Sequence, residues 1–170
     1  MIYLITGGER SGKSRYAQDL AMGLSPNPVY LATARKWDED FQKRIKRHQS
    51  ERDSRWINIE EEKNIGNLDL KNKVAVIDCI TLWLANFYTD TKHHVEESLS
   101  QAITEFDKIK SMDGTFIFIS NEIGMGVHAE TEVGRKFVEL QGWMNQYIAK
   151  NASKVILMVS GIPVIIKDNI

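Results

Sequence analysis

A single cysteine, Cys79, is present among the 170 residues, so no intramolecular disulfide can form and no cysteine-based zinc cluster can assemble. Its apolar neighbours predict a buried, inert thiol, and a lone thiol fits a reducing compartment. No excess of either charge exists: 22 Lys and Arg stand against 23 Asp and Glu, for a net charge of −1. That balance argues against a nucleic-acid binder working through bulk electrostatics and leaves only local basic patches. No apolar run approaches the roughly 20 residues of a membrane-spanning helix. Gly7-Gly8-Glu9-Arg10 interrupts the N-terminal apolar stretch almost at once, which excludes a signal peptide. Internal repeats, low-complexity tracts and a composition break that would divide the chain are also lacking. What is left is one soluble, cytoplasmic domain spanning residues 1–170, 42% hydrophobic and 26% charged, with enough material for a core.

The apolar residues are grouped in short continuous runs at 2–6, 28–33, 74–79, 115–120 and 154–160, with a further short run at 163–167. Continuous rather than alternating runs predict strands covered on both faces. The alternating tract 55–60 predicts an edge strand. Helical patterns fill roughly 13–23, 38–52, 81–88, 92–111 and 130–151, and the polar stretch 61–73 is expected to be a surface loop. Alternation of strand and helix predicts an α/β fold with a mainly parallel sheet flanked by helices.

Gly7-Gly8-Glu9-Arg10-Ser11-Gly12-Lys13-Ser14 satisfies G-x-x-x-x-G-K-S/T, between a predicted strand and a predicted helix. The glycines let successive backbone N–H groups turn inward onto phosphate oxygens at the positive end of the helix. Lys13 is placed to reach β- and γ-phosphates, and the Ser14 hydroxyl to complete a Mg²⁺ shell. A nucleoside triphosphate site follows. Its second part should be a carboxylate at the end of another buried strand, where open α/β sheets bind ligands. Asp78, closing VAVIDC, has that placement, and Glu122, after TFIFIS, competes with it.

On a helix Arg44, His48 and Arg52 share one face, at i, i+4 and i+8. Flanking cations disfavour imidazolium and leave a neutral ring with a free lone pair beside groups that attract phosphate. Two roles stay open from these residues alone: a phosphorus-attacking nucleophile, or a surface histidine on a solvated basic face. His93 and His94 lack metal-ligand spacing to another His or Cys, and His128 follows the loop Asn121 to Gly126. Trp37, Trp56, Trp83 and Trp143 are scattered as core or interface residues are.

In sequence order, these pieces resemble a known family. They are Gly7–Ser14 with Arg15, Ala32-Thr33, R-I-x-x-H-x-x-x-R followed by Trp56, Asp78-Cys79-Ile80-Thr81, Asn121-Glu122-Ile123-Gly124-Met125-Gly126, Arg135-x-Phe137 and Gly142-x-x-Asn145-Gln146. Together they are similar to the bifunctional adenosylcobinamide kinases/adenosylcobinamide-phosphate guanylyltransferases of cobalamin biosynthesis. The resemblance covers nearly the whole chain. It implies a three-layer, RecA-like P-loop NTPase fold, usually assembled as a homotrimer, with Mg²⁺ and with ATP and GTP as substrates. The partners it implies are adenosylcobinamide and its phosphate, with no nucleic acid. Two reactions are implied: phosphoryl transfer to adenosylcobinamide, then GMP transfer from GTP through a guanylyl-histidine to adenosylcobinamide phosphate.

Residue by residue, the resemblance places the nucleophile at His48 and the phosphate cradle at Gly7, Gly8, Glu9, Arg10, Ser11, Gly12, Lys13 and Ser14. Further nucleotide contacts fall on Ala32, Thr33, Ala34, Gln49, Ser50, Glu51, Arg52 and Glu60, and the strand-end acid on Asp78, with Ser14 and Asp78 as the metal pair. The chain departs from the family pattern at Arg47, where a second histidine is common, and at Val127-His128-Ala129, where a proline is common. It also has Phe137-Val138-Glu139 for Phe-Arg-Asp, and Asp78 where the acid is often the longer Glu. Two other classes fit the P-loop alone: a different small-molecule kinase, and a nucleotide-binding switch without a small-molecule acceptor.

Overall fold

The computed structural model describes residues 1–35 and 53–169. The helix expected over 38–52 lies outside the described residues. The elements are β1 (Ile2–Gly7), α1 (Lys13–Leu24), β2 (Val29–Ala32), β3 (Ile57–Glu60), β4 (Lys73–Asp78), α2 (Ile80–Asp90), α3 (Val95–Lys110), β5 (Gly114–Ile119), α4 (Glu132–Asn151), β6 (Lys154–Val159) and β7 (Ile162–Asp168). They build one seven-stranded sheet in the order β3-β2-β4-β5-β1-β6-β7. Every pairing is parallel except β6–β7. The expected mainly parallel, helix-flanked sheet is therefore present.

Side chains on the central strands divide between two cores. Ile2 and Leu4 of β1, with Phe116 and Phe118 of β5, join Trp83, Leu84, Phe106, Leu140 and Met144 from α2, α3 and α4. Tyr3 and Ile5, with Ile117 and Ile119, face the opposite side, where Ala17 and Ala21 bring α1 close. Successive side chains point to opposite faces of a strand, and both faces are buried, so no polar alternation survives in the sequence. That is why these strands read as continuous apolar runs.

One expectation needs correction. The stretch 61–73 is not a plain surface loop: Ile65 and Leu70 are fully buried, and a short 3₁₀ turn spans Ile65–Asn67. Gly66 N–H donates to Glu105 Oε2 at 2.9 Å, which fastens this turn to α3. Two buried apolar anchors were too few, among so many charges, to produce a period. The short strand expected at 163–167 is present as β7, antiparallel in a hairpin with β6. Ser160 (φ 51°) and Gly161 (φ 83°) form the two-residue connection, the paired positive φ values that tight hairpins favour.

That hairpin turn also supports the N-terminal loop. Gly161 N–H donates to Ser11 O at 3.0 Å. Gly7 has φ 152°, and a Cβ there would lie 2.5 Å from Met158 O and 2.7 Å from Ser11 Oγ. A Cβ on Gly8 would meet nothing within 4 Å. Gly7→Ala is expected to destabilise the protein by about 2–4 kcal/mol through overpacking and backbone strain. Gly8→Ala should stay within about 0.5 kcal/mol of the parent. Paired thermal melts without nucleotide check the contrast, and equal melting points would contradict it.

Candidate functional site

The sheet's strand register collects the chemistry. Glu60 lies opposite Ala32, Ala32 opposite Asp78, and Asp78 opposite Ile119. Ile119 in turn pairs with Ile5, two residues before the glycine-rich loop. One row across the carboxyl edge thus carries Glu60, Ala32 and Asp78 to the mouth of Gly7–Ser14. This edge is where ligands of open α/β sheets bind.

Gly12 has φ 93° and stands at the start of α1, whose first residues are Lys13 and Ser14. The left-handed turn there aims the helix N-terminus into the loop, a conformation that glycine adopts without a Cβ penalty. Lys13 is buried, and its Nζ folds back to donate to Gly8 O at 2.5 Å and to Ser11 Oγ at 3.4 Å. Burial holds its pKa below the ordinary lysine value, against the opposing pull of nearby Glu9 and Asp78. A desolvated ammonium at the end of a cradle of N–H groups is built to receive an anion. Glu9 and Arg10 are exposed at the crest of the loop.

Ser14 Oγ donates to Asp78 Oδ2 at 3.1 Å. Of the two strand-end acids expected, Asp78 is the one bonded to Ser14, whereas Glu122 donates its backbone N–H to Gly7 O at 3.0 Å and keys its loop to the cradle. Hydroxyl and carboxylate oxygens are hard donors suited to Mg²⁺ with its retained waters. Among the described residues no group of three or more His, Cys, Asp or Glu could hold a metal by itself, so a cation here would share its shell with phosphate and water. Cys79, next to Asp78, is buried, and burial pushes its thiol up to about 12, so it stays protonated and inert as expected.

The exit of β2 is held by backbone and ion-pair contacts. Thr33 is fully buried; its N–H donates to Asp78 O at 3.1 Å and its hydroxyl to Cys79 O at 2.9 Å. Ala34 is half-buried beside it. Arg35 binds Asp90 through two bonds, at 2.9 and 3.1 Å, and Glu62 at 2.7 Å, while Lys63 reaches the same Asp90 at 2.9 Å. Hydrogen bonds from Arg35 and Lys63 hold the Asp90 carboxyl well below the usual carboxylate range. The cluster clamps the loops after β2 and β3 to the end of α2. Sequence reasoning missed it because its members are 27 and 55 residues apart.

On the other side of β5, Gln141 Nε2 donates to Ser120 Oγ at 2.7 Å, Ser120 Oγ donates to Asn145 Oδ1 at 2.5 Å, and Asn145 Nδ2 donates to Asn121 O at 3.2 Å. Asn121 Nδ2 donates to Thr81 Oγ1 at 3.0 Å. Asn145 of the G-x-x-NQ segment is therefore a strut beneath the Glu122–Gly126 loop, whereas Gln146 is exposed. Between this loop and the start of α4 lies a concavity of about 500 Å³ lined by Ile123, Gly126, His128, Glu132, Arg135 and Glu139. Trp83 is core and Trp56 is buried against Tyr30, while Trp143 is 41% exposed. His48, with Arg44, Arg47, Gln49, Ser50, Glu51, Arg52 and Trp37, lies outside the described residues.

The family model of cobinamide kinase / cobinamide phosphate guanyltransferase matches residues 3–166. The chain belongs to this family. It is 33% identical over 168 residues to the bifunctional adenosylcobalamin biosynthesis protein CobP of Pseudomonas aeruginosa, an alignment covering 96% of each chain. It is 34% identical over 184 residues to the bifunctional adenosylcobalamin biosynthesis protein CobU of Escherichia coli, covering 98% of this chain and all of the relative. The CobU protein of Salmonella typhimurium is 32% identical over 182 residues, with the same coverage. The matched span includes Gly7–Ser14 and the carboxyl-edge row of Glu60, Ala32 and Asp78.

Proposed function

We propose that this protein phosphorylates adenosylcobinamide with ATP or GTP and then transfers GMP from GTP to the resulting phosphate, in the cytoplasm. The observation that carries this reading is the family match over residues 3–166 with the Lys13, Ser14 and Asp78 constellation assembled at one edge. Backbone N–H groups of Gly8–Lys13 hold the phosphate chain, and Lys13 moves from Gly8 O onto the β- and γ-phosphate oxygens. Ser14 and Asp78 would hold Mg²⁺, which when bound neutralises phosphate charge. In the kinase reaction the acceptor hydroxyl attacks the γ-phosphorus, the bond to the β-phosphate oxygen breaks, and the hydroxyl proton is lost. In the second reaction a neutral His48 nitrogen attacks the α-phosphorus of GTP and pyrophosphate leaves. A phosphate oxygen of adenosylcobinamide phosphate then displaces His48 to give adenosylcobinamide-GDP.

Ala32, Ala34 and Glu60 border the nucleotide on the β2–β3 side, while Thr33, expected there too, is fully buried and supports the strand end from beneath; Gln49, Ser50, Glu51 and Arg52 follow the nucleophile in sequence. The corrinoid approaches over the concavity beside Glu122–Gly126, where Met125 and Val127 are 78% and 96% exposed and offer apolar contact. Incubation with Mg²⁺ and GTP labelled at the α-phosphate, beside a γ-labelled control, tests the reading. Acid-labile label retained on denatured protein from the α-position alone is expected. Protein that binds GTP but takes no α-label would be a plain P-loop kinase.

We also propose a homotrimer, with β7 in its interface. Ile162, Val164, Ile165 and Ile166 of this edge strand are 46–66% exposed, and Val159 beside them is 49% exposed. Full burial of one such side chain is worth about 1.5–3 kcal/mol, so five together are comparable with the association cost of several kcal/mol. Ile165→Lys with Ile166→Asp should shift the mass measured by light scattering from trimer to monomer. An unchanged mass would place the interface elsewhere.

A further inference from the structure

Tyr30 lies on β2 opposite Val76, two residues below the row that holds Asp78, and its side chain shares the core face with Val76. The ring is 4% exposed and packs edge-on against Trp56, with centroids 6.0 Å apart and planes at 82°. From there the hydroxyl donates to Asp78 Oδ2 at 2.5 Å. Ser14 Oγ donates to the same oxygen at 3.1 Å. Asp78 Oδ1 has no hydrogen-bond partner among the described residues. Two donors from two different elements therefore fix one carboxylate oxygen and leave the other without a donor among the described residues.

We propose that Tyr30 is a positioning residue for the cation site, holding the Asp78 carboxylate in its working rotation before nucleotide and metal arrive. The proposal rests on assigning Ser14 and Asp78 to Mg²⁺. Physically, a carboxylate at the end of a short side chain can rotate about its last bond, and a cation must select one rotation. A hydroxyl anchored by a buried ring removes that freedom in advance, and a charge-assisted bond of this length is a strong constraint. Trp56 acts one step further out by fixing the ring. Asp78 is one methylene shorter than a glutamate, so a partner rising from below the row is within its reach.

The test uses the full chain and Mn²⁺ as the probe, read by the free-ion electron paramagnetic resonance signal with a saturating, non-hydrolysable GTP analogue present. Tyr30→Phe keeps the ring and its Trp56 contact and deletes the hydroxyl. Mn²⁺ affinity in this variant is expected to weaken by about tenfold, the loss of one hydrogen bond to a charged group. Metal-free binding of the analogue and the melting temperature should stay near the parent values. The Mg²⁺ concentration for half-maximal rate should rise in both reactions, with kcat recovered at saturating Mg²⁺. Asp78→Asn is the companion variant. If Asp78→Asn loses Mn²⁺ binding while Tyr30→Phe matches the parent, Tyr30 only fills the core and the proposal is overturned. If neither variant changes Mn²⁺ binding, the assignment of Ser14 and Asp78 to the metal fails, and the proposal with it. Should Tyr30→Phe prove unstable, a ring-fluorinated tyrosine at position 30 preserves the shape while changing hydroxyl acidity. Mn²⁺ affinity must then change with it, and no change overturns the proposal.

Discussion

Lys13→Ala is expected to remove both reactions together, each falling by about 100- to 1,000-fold in kcat/KM, the range for deleting one preorganised donor to developing charge. Lys13 is buried, its Nζ donates to Gly8 O and Ser11 Oγ, and burial lowers its pKa. Among the described residues no carboxylate forms an ion pair with this ammonium, so a phosphate chain would be its anionic partner. Its interaction energy is realised with the phosphate chain rather than with the folded protein, so activity should fall far more than stability. Lys13→Arg is expected to fail as well, because a planar guanidinium does not fit where a compact ammonium folds onto Gly8 O. Parallel assays with γ-labelled ATP and α-labelled GTP, beside a thermal melt, check this. Loss of phosphoryl transfer with intact GMP transfer would mean that two separate cradles serve the two reactions.

The parts of this molecule that were legible in sequence are those in which chemistry demands fixed spacing along the chain. Gly7–Ser14 is contiguous, and β1, β4 and β5 are buried on both faces, so their apolar runs and the acid at the end of β4 stood out. Strand direction in β7 was not legible, because nothing local distinguishes an antiparallel return from one more crossover. Its two-residue Ser160-Gly161 turn was the available signal. The anchors Ile65 and Leu70 were hidden among charged neighbours, and their burial depends on α3, which is distant in sequence. Tyr30 was missed for a related reason. In sequence it is one aromatic within an apolar strand, and only the parallel pairing of β2 with β4 brings its hydroxyl to Asp78. The same pairing turned two remote segments, RWINIE and VAVIDC, into a single row of candidate ligands.

The basic segment around His48 carries the second large effect. His48→Ala is expected to lower GMP transfer by about 10⁴-fold or more, the scale of removing a covalent nucleophile. Phosphoryl transfer to adenosylcobinamide should continue at the parental rate, because the apparatus proposed for it is Lys13, Ser14 and Asp78 at the sheet edge. The asymmetry follows from where the attack occurs on the triphosphate. On the proposed mechanism the cradle would grip the β- and γ-phosphates in both reactions, whereas only the second would need a group from the protein to form a bond to the α-phosphorus. At the i, i+4 and i+8 spacing read from the sequence, Arg44 and Arg52 would balance charge that builds on that phosphorus. Arg44→Gln should therefore weaken labelling without abolishing it. Loss of kinase activity in a folded His48→Ala protein would instead make this histidine part of the common phosphate grip. The two reactions would then share a binding site with no covalent intermediate between them.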